Sequence, residues 1–185
     1  MNSPLNILGI AGSLRQGSYN RLALQAAQQL APEGSKIEIF DLNGIPLFNQ
    51  DQEKTPPAAV VEFKKQIRAA DAILFATPEY NYNFPGVLKN AIDWASRPYG
   101  DNAWSDKPVA IMGASPGILG TARAQLLLRP LLTYLNMHPV NQPEVMIAKA
   151  NEKFDANGNL TDEAARKLMH QLLQNLVDWT HRLGK

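Results

Sequence analysis

Leu5-Asn6-Ile7-Leu8-Gly9-Ile10-Ala11, then Gly12-Ser13-Leu14-Arg15-Gln16-Gly17-Ser18-Tyr19-Asn20, then a run carrying Leu22, Ala23, Ala26, Ala27 and Leu30: this stretch decides the fold. The first seven residues are nearly all apolar and lack a helical period, as in a strand covered on both faces. The last run places its apolar residues at helical spacing, and the polar loop between them carries only two glycines. The unit of strand, polar loop and helix then recurs. Lys36 to Leu42, Ala72 to Thr77 and Pro108 to Ala114 are further strand-like runs. Val60, Val61, Phe63, Lys64 and Ile67 form a second helical pattern, and Val87, Leu88, Ala91, Ile92 and Ala95 a third. Ala122 to Leu135 forms the fourth.

A fifth strand is expected near Glu144 to Ala148, at an edge, because Pro139 and Pro143 interrupt that segment. Asn151 to Asn159 is rich in turn residues. The last helix is expected to be capped by Thr161, ahead of Asp162 and Glu163, with Leu168, Leu172, Leu173, Leu176 and Val177 on one stripe. Strands alternating with helices through short connections require a parallel sheet with helices on both faces. The reading is an α/β fold, a flavodoxin-like doubly wound five-stranded parallel sheet in three α/β/α layers, forming a single domain over residues 1–185. In that strand order a ligand sits beyond the strand ends where the order reverses, between the first and third strands. The loop Gly12 to Asn20 follows the first strand and Pro78-Glu79-Tyr80-Asn81-Tyr82-Asn83-Phe84-Pro85-Gly86 follows the third, so both fall at that point.

The chemistry of the two loops differs. Ser13, Arg15, Ser18 and Asn20 bring hydroxyl, amide and guanidinium donors to a helix start, where free N–H groups and the helix dipole favour a phosphate. The competing reading is that Ser18 or Asn20 only caps the helix and Arg15 is a solvated charge. The GxxxxGK[ST] and GxGxxG phosphate patterns are both absent. The second loop, stiffened by Pro78 and Pro85, offers Tyr80, Asn81 and Tyr82 with little charge, which suits the edge of a flat ring. Its one acid, Glu79, has no His or second carboxylate beside it, so structural hydrogen bonding is expected of it rather than proton transfer. Gly113 to Gly120, after the fourth strand, adds small residues with Ser115 and Gly117 that let a planar ligand approach the backbone. A phosphorylated aromatic cofactor fits the three loops together.

Composition narrows the function. With 18 Lys and Arg against 17 Asp and Glu, scattered along the chain, nothing tracks a polyanion, and nucleic acid is excluded as a partner. No cysteine occurs, so redox chemistry has to come from a bound group. Met1 to Pro4 is too short and polar for a signal peptide and no run is long enough to span a bilayer, so a cytoplasmic protein without a membrane partner is expected. His138, His170 and His181 lack metal-ligand spacing, so no metal is expected. Trp94 is assigned to an apolar helix face or a subunit contact, Trp179 to the last helix stripe, and Trp104 to a loop that overhangs the site.

GSLRxxSxN after the first strand, PEYNYxxPGxLKNAIDW after the third and GxSPGxxGTxRAQxxLR after the fourth resemble the NAD(P)H-dependent FMN reductase family over nearly the whole chain. That family includes flavin, quinone, azo-dye and chromate reductases. The resemblance implies one FMN per subunit. Ser13, Arg15, Ser18 and Asn20 would hold its phosphate, with backbone contacts from Leu14 and Gln16. Glu79, Tyr80, Asn81 and Tyr82, following Pro78, would meet the isoalloxazine, and Ser115 with Gly117 would complete the pocket. Asn83 and Phe84 stand where similar proteins carry Ser and an aliphatic residue, and the larger ring is expected to reshape access to the flavin.

The implied activity is reduction of a small-molecule electron acceptor, such as a quinone or free flavin, by NADPH or NADH, in ping-pong exchange with the hydride chemistry at flavin N5 and no catalytic side chain. A flavodoxin-like carrier that binds FMN without using NAD(P)H is the alternative, but such carriers are usually strongly acidic and this chain is near neutral. A homodimer or homotetramer is expected, since so small an open sheet lacks a lid and Ile92 and Trp94 lie near the site. The resemblance puts the LKNAIDW helix and Arg123 at subunit contacts, with Arg123 and Glu144 as a candidate charge pair.

Overall fold

The computed structural model describes residues 4–184. The Met1 to Ser3 part of the segment read above against a signal peptide lies outside them. Strands β1 (Leu5–Ala11), β2 (Ser35–Phe40), β3 (Ala72–Ala76) and β4 (Pro108–Ala114) alternate with helices α1 (Tyr19–Gln29), α2 (Ala58–Ala69), α3 (Gly86–Ala95) and α4 (Ala122–Tyr134). The chain continues through β5 (His138–Pro139), β6 (Val145–Ile147), the single turn α5 (Ala150–Lys153) and the long α6 (Glu163–Arg182). All strand pairs are parallel, in the order β2-β1-β3-β4-β5.

The expected fifth strand is two short pieces. β5 pairs with the start of β4, at Pro108 and Val109, and β6 pairs with its end, at Met112 to Ala114. Pro139 has no N–H to give the ladder and Pro143 follows it, so pairing stops between the pieces. The β6 piece falls inside the expected 144–148 range.

Period-two alternation puts each strand's side chains into two cores. Leu5, Ile7, Leu74, Ala110 and Met112 pack under α1 and α6, whereas Leu8, Ile10, Ile73, Phe75 and Ile111 pack under α2, α3 and α4. Trp104 belongs to the second core and does not overhang the site. It is fully buried against Phe63 and Phe75, and its indole N–H donates to Ile92 O at 3.1 Å. Burying so large a ring outweighs exposing it, provided the N–H finds an acceptor, as here. Trp94 is buried too, donating to Pro46 O at 2.8 Å. Trp179 packs at the edge of the first core. Phe84 packs against the second core and not beside the cleft. Asn83 serves its own turn by accepting from Phe84 N at 2.8 Å.

The cap of α6 is Asp162, which accepts from Ala165 N at 2.8 Å. The expected cap, Thr161, donates its hydroxyl back to Lys153 O instead. A carboxylate at the positive end of a long helix gains from the dipole as well as the hydrogen bond.

Candidate functional site

The ends of β1, β3 and β4 are laced together before any loop begins. Gly12 N donates to Ala76 O at 2.9 Å and Thr77 N to Met112 O at 3.0 Å. A Cβ at Gly12 would sit tightly, 3.2 Å from Pro78 Cδ and 3.3 Å from Leu88 Cδ2. Gly113 is needed at its place, since a Cβ would meet Thr121 Oγ1 at 1.9 Å and Thr77 O at 2.5 Å. These close approaches let the three loops converge on one cleft of about 480 Å³. That volume is in the range of pockets for small ligands and cofactors.

The first loop reaches the cleft through Ser13, Arg15 and Ser18. Ser18 caps α1, its hydroxyl accepting from Asn20 N at 3.2 Å, and Ser13 Oγ accepts from Arg15 N at 3.3 Å. Both hydroxyls keep a proton to donate. The N–H groups of Leu14, Gln16, Gly17 and Tyr19 have no acceptor among the described residues. Arg15 is exposed, with its guanidinium 5.6 Å from the Tyr19 ring centroid. A cation, two hydroxyls and unfilled backbone donors at a helix start make a donor set for a phosphate. Leu14 and Gln16 are exposed and their side chains do not line the cleft.

Asn20 plays a different part. Its amide donates to Ala114 O and accepts from Ala114 N, both at 2.9 Å, and the residue is 2% exposed. Its side chain therefore ties α1 to the end of β4, and the residue lines the cleft.

The second loop contains a two-residue turn. Tyr80 and Asn83 exchange backbone bonds of 2.9 and 3.0 Å, and Asn81 and Tyr82 between them have φ of 51° and 68°. That is the mirror-image turn suited to tight hairpins, and asparagine accepts it readily while tyrosine does not. Strain of this kind costs on the order of 1–3 kcal/mol and persists only where the surroundings hold it. Here Arg123 holds it, with its guanidinium carbon 3.6 Å from the Tyr82 ring centroid. Pro78, Glu79 and Tyr80 line the cleft, whereas Asn81 and Tyr82 stand outside it, exposed.

Glu79 takes the structural role its isolation suggested. Its side chain is 6% exposed and pairs with the Arg123 guanidinium. It also accepts from Arg123 N at 3.0 Å and Ala124 N at 3.2 Å. These are orphan donors at the start of α4, whose first flanking residue, Thr121, has a φ of 75° and makes no side-chain cap. The carboxylate thus staples the second loop to the third. Within the chain Arg123 pairs with Glu79 and not with Glu144, which is exposed.

In the third loop, Ser115 N donates to Ile147 O at 3.0 Å and Ser115 O accepts from Ala150 N at 3.0 Å, leaving the side chain at the cleft. Ser115 Oγ accepts from Gly117 N at 3.1 Å. Gly117 lines an adjoining cavity rather than the main cleft. Tyr19, Ala114 and Pro116 also line the cleft. Sequence reasoning placed their loops at the site without singling them out, although Tyr19 stands beside Ser18 at the helix start. His138 and His170 lie elsewhere, against Asp106 and Leu30 O.

A family model described as NADPH-dependent FMN reductase matches residues 5–152. An NAD(P)H-dependent FMN reductase of Pseudomonas aeruginosa is 57% identical, covering 99% of each chain. A 2-hydroxy-1,4-benzoquinone reductase of a Burkholderia species is 43% identical over 95% of this chain and 96% of its own. Among solved structures, FerB of Paracoccus denitrificans, a flavoenzyme NAD(P)H:(acceptor) oxidoreductase, superposes with a TM-score of 0.89 at 36% identity, covering 96% of this chain and 98% of that one.

Proposed function

The chain belongs to the NADPH-dependent FMN reductase family, and from that premise we propose that its cleft holds FMN and serves the reduction of quinones by NADPH or NADH. The observation that carries this reading is the first loop, where Ser13, Arg15 and Ser18 line one cleft and several backbone N–H groups of the same loop have no acceptor among the described residues. That donor set fits the terminal phosphate of FMN. The walls made by Pro78 to Tyr80 and Ala114 to Pro116 fit its ring, with few charges to oppose a flat apolar surface.

When bound, FMN supplies the hydride chemistry, for which the side chains of this cysteine-free chain have no substitute. The balance is NAD(P)H, a proton and a quinone giving NAD(P)+ and a hydroquinone. The chain's own residues bind and orient. The Glu79 staple fixes the spacing of the second and third loops, and Asn20 fixes α1 against β4. No side chain need move a proton in an obligatory step, and exchange of nicotinamide for acceptor in one cleft gives ping-pong kinetics.

The expected oligomer, a homodimer or homotetramer, needs a surface other than the one first argued. Ile92 and Trp94 are buried in their own chain. Leu126, Leu127 and Tyr134 on α4 and Ile118 and Leu119 ahead of it are exposed, and they support a subunit contact there. Among the described residues no helix is long and apolar enough to cross a membrane. A cytoplasmic enzyme acting on small acceptors is the reading that fits.

The test is anaerobic. Protein loaded with FMN should lose its visible flavin absorption on adding NADPH and regain it on adding 1,4-benzoquinone. Protein that neither retains FMN nor oxidises NADPH when FMN is supplied would refute the proposal.

A further inference from the structure

Arg21 stands where its charge is unfavourable for the helix that carries it. Ser18 caps α1, so Arg21 is the third helical residue, the place from which a glutamate or glutamine commonly reaches back to the cap. A cation there opposes the positive end of the helix, and the first turn holds no acid to balance it. Its partners lie outside the helix. Arg21 Nη2 donates to Asp41 Oδ1 at 2.7 Å, and Nε donates to Ser13 O at 3.2 Å. Asp41 follows the last residue of β2 and also accepts from Asn43 N at 2.9 Å.

The guanidinium therefore braces the first loop against the end of the neighbouring strand. Arg21 lines a small cavity of about 160 Å³ with Ala11, Phe40 and Asp41, and it is not in the lining of the main cleft. It acts on that cleft through Ser13, which is 4% exposed and whose carbonyl it holds. The Ser13–Leu14 peptide is trans, so its C=O and N–H point in opposite directions. Turning Ser13 O towards Arg21 turns Leu14 N–H away from it, and that N–H has no acceptor among the described residues. Half a turn of the same peptide would put a carbonyl oxygen in place of the donor, and an oxygen repels an anion.

We propose that Arg21 is a positioning residue of the phosphate site: braced by Asp41, it fixes the Ser13–Leu14 peptide so that Leu14 N–H is presented to the FMN phosphate. Asp41 balances the charge of Arg21, whose part is orientation and not attraction. The inference rests on the reading of the cleft as the FMN site, and its test separates the two.

The apoprotein is titrated with FMN and with riboflavin, which lacks the phosphate, in the parent, Arg21→Met and Asp41→Ala. The pair is partly exposed on the arginine side and exposed on the aspartate side, so its loss leaves the fold intact. Arg21→Met keeps the stem of the side chain and removes both bonds. Partial loss of a hydrogen bond to a charged group predicts FMN binding about fivefold to twentyfold weaker, with riboflavin within about twofold of the parent. Asp41→Ala decides the sign. An Arg21 that acted as a cation would draw the phosphate more strongly once its anion is gone, whereas an unbraced Arg21 releases the peptide, so FMN should bind about twofold to fivefold more weakly. In 15N spectra the Leu14 amide of the parent should shift with FMN and not with riboflavin, and that shift should shrink in Arg21→Met. FMN affinity within about twofold of the parent in Arg21→Met overturns the proposal, as do equal losses for the two flavins or tighter FMN binding by Asp41→Ala. In each of these cases a parent that prefers FMN to riboflavin leaves the functional reading standing, whereas a parent that binds FMN no tighter than riboflavin, or not at all, removes both.

Discussion

Asn20→Ala separates the phosphate-ligand role expected of this residue from the tie between α1 and β4 that the structure shows. In the structure the amide makes two hydrogen bonds of 2.9 Å to Ala114, one to its N–H and one to its C=O, at 2% exposure. Truncation leaves both backbone groups without partners, and each such group costs about 1–3 kcal/mol when buried. Water entering from the adjoining cleft offsets part of this, so a loss of about 2–4 kcal/mol is expected. For a chain of this size a kcal/mol corresponds to about 2–4 °C in Tm, so the apoprotein should melt roughly 5–15 °C lower. Asn20→Asp should not restore it, because a carboxylate accepts from Ala114 N but faces Ala114 O without a donor. The assay is thermal and urea unfolding of the apoprotein, with FMN and riboflavin titrated in parallel. A structural tie predicts lowered stability and similar losses for both ligands. A Tm within about 2 °C of the parent, with weakening confined to FMN, would refute the reasoning and return Asn20 to the phosphate.

Arg15→Ala should weaken FMN by about tenfold to a hundredfold and riboflavin much less, since only FMN offers the phosphate; comparable titrations of the apoprotein check this. Glu79→Ala strips the acceptor from Arg123 N and Ala124 N, so unfolding experiments should show about 1–3 kcal/mol less stability, with Glu79→Gln milder because its amide oxygen still accepts. The Asp101 carboxyl is held below the ordinary aspartate range, chiefly by the hydrogen bond from the buried Lys64, and also by the charges of Lys64 and Arg68. Its stabilisation is therefore present above the unfolded-state pKa of about 4 and lost as the pH falls through the lowered value. Asp101→Asn should flatten that acid limb in urea midpoints taken across pH, and an unchanged limb would contradict the pairing.

Strand and helix identity was legible because both sheet faces are covered. Leu5 to Ala11 and Ala72 to Ala76 had to read as apolar runs, and each residue then fell to one core or the other by alternation. The split of the fifth strand followed from Pro139, but where pairing would resume depended on β4, which no local pattern reveals. Site residues were legible where the backbone chemistry is local, as at Ser18, whose hydroxyl reaches a neighbour two residues on. Partners distant in sequence were not. Asn20 and Ala114, or Glu79 and Arg123, meet only after the sheet has brought three loops together. Phe84 and Trp104 misled for a related reason, since a ring in a loop can turn inward when a core has room for it.

The location of the cofactor is the central claim, and a crystal structure of the protein with FMN tests it most directly. The account predicts the phosphate against Ser13, Arg15 and Ser18, and the ring between Pro78 to Tyr80 and Ala114 to Pro116. FMN bound instead in the groove of about 450 Å³ lined by Phe48, Arg97, Tyr99 and Tyr134 would contradict it.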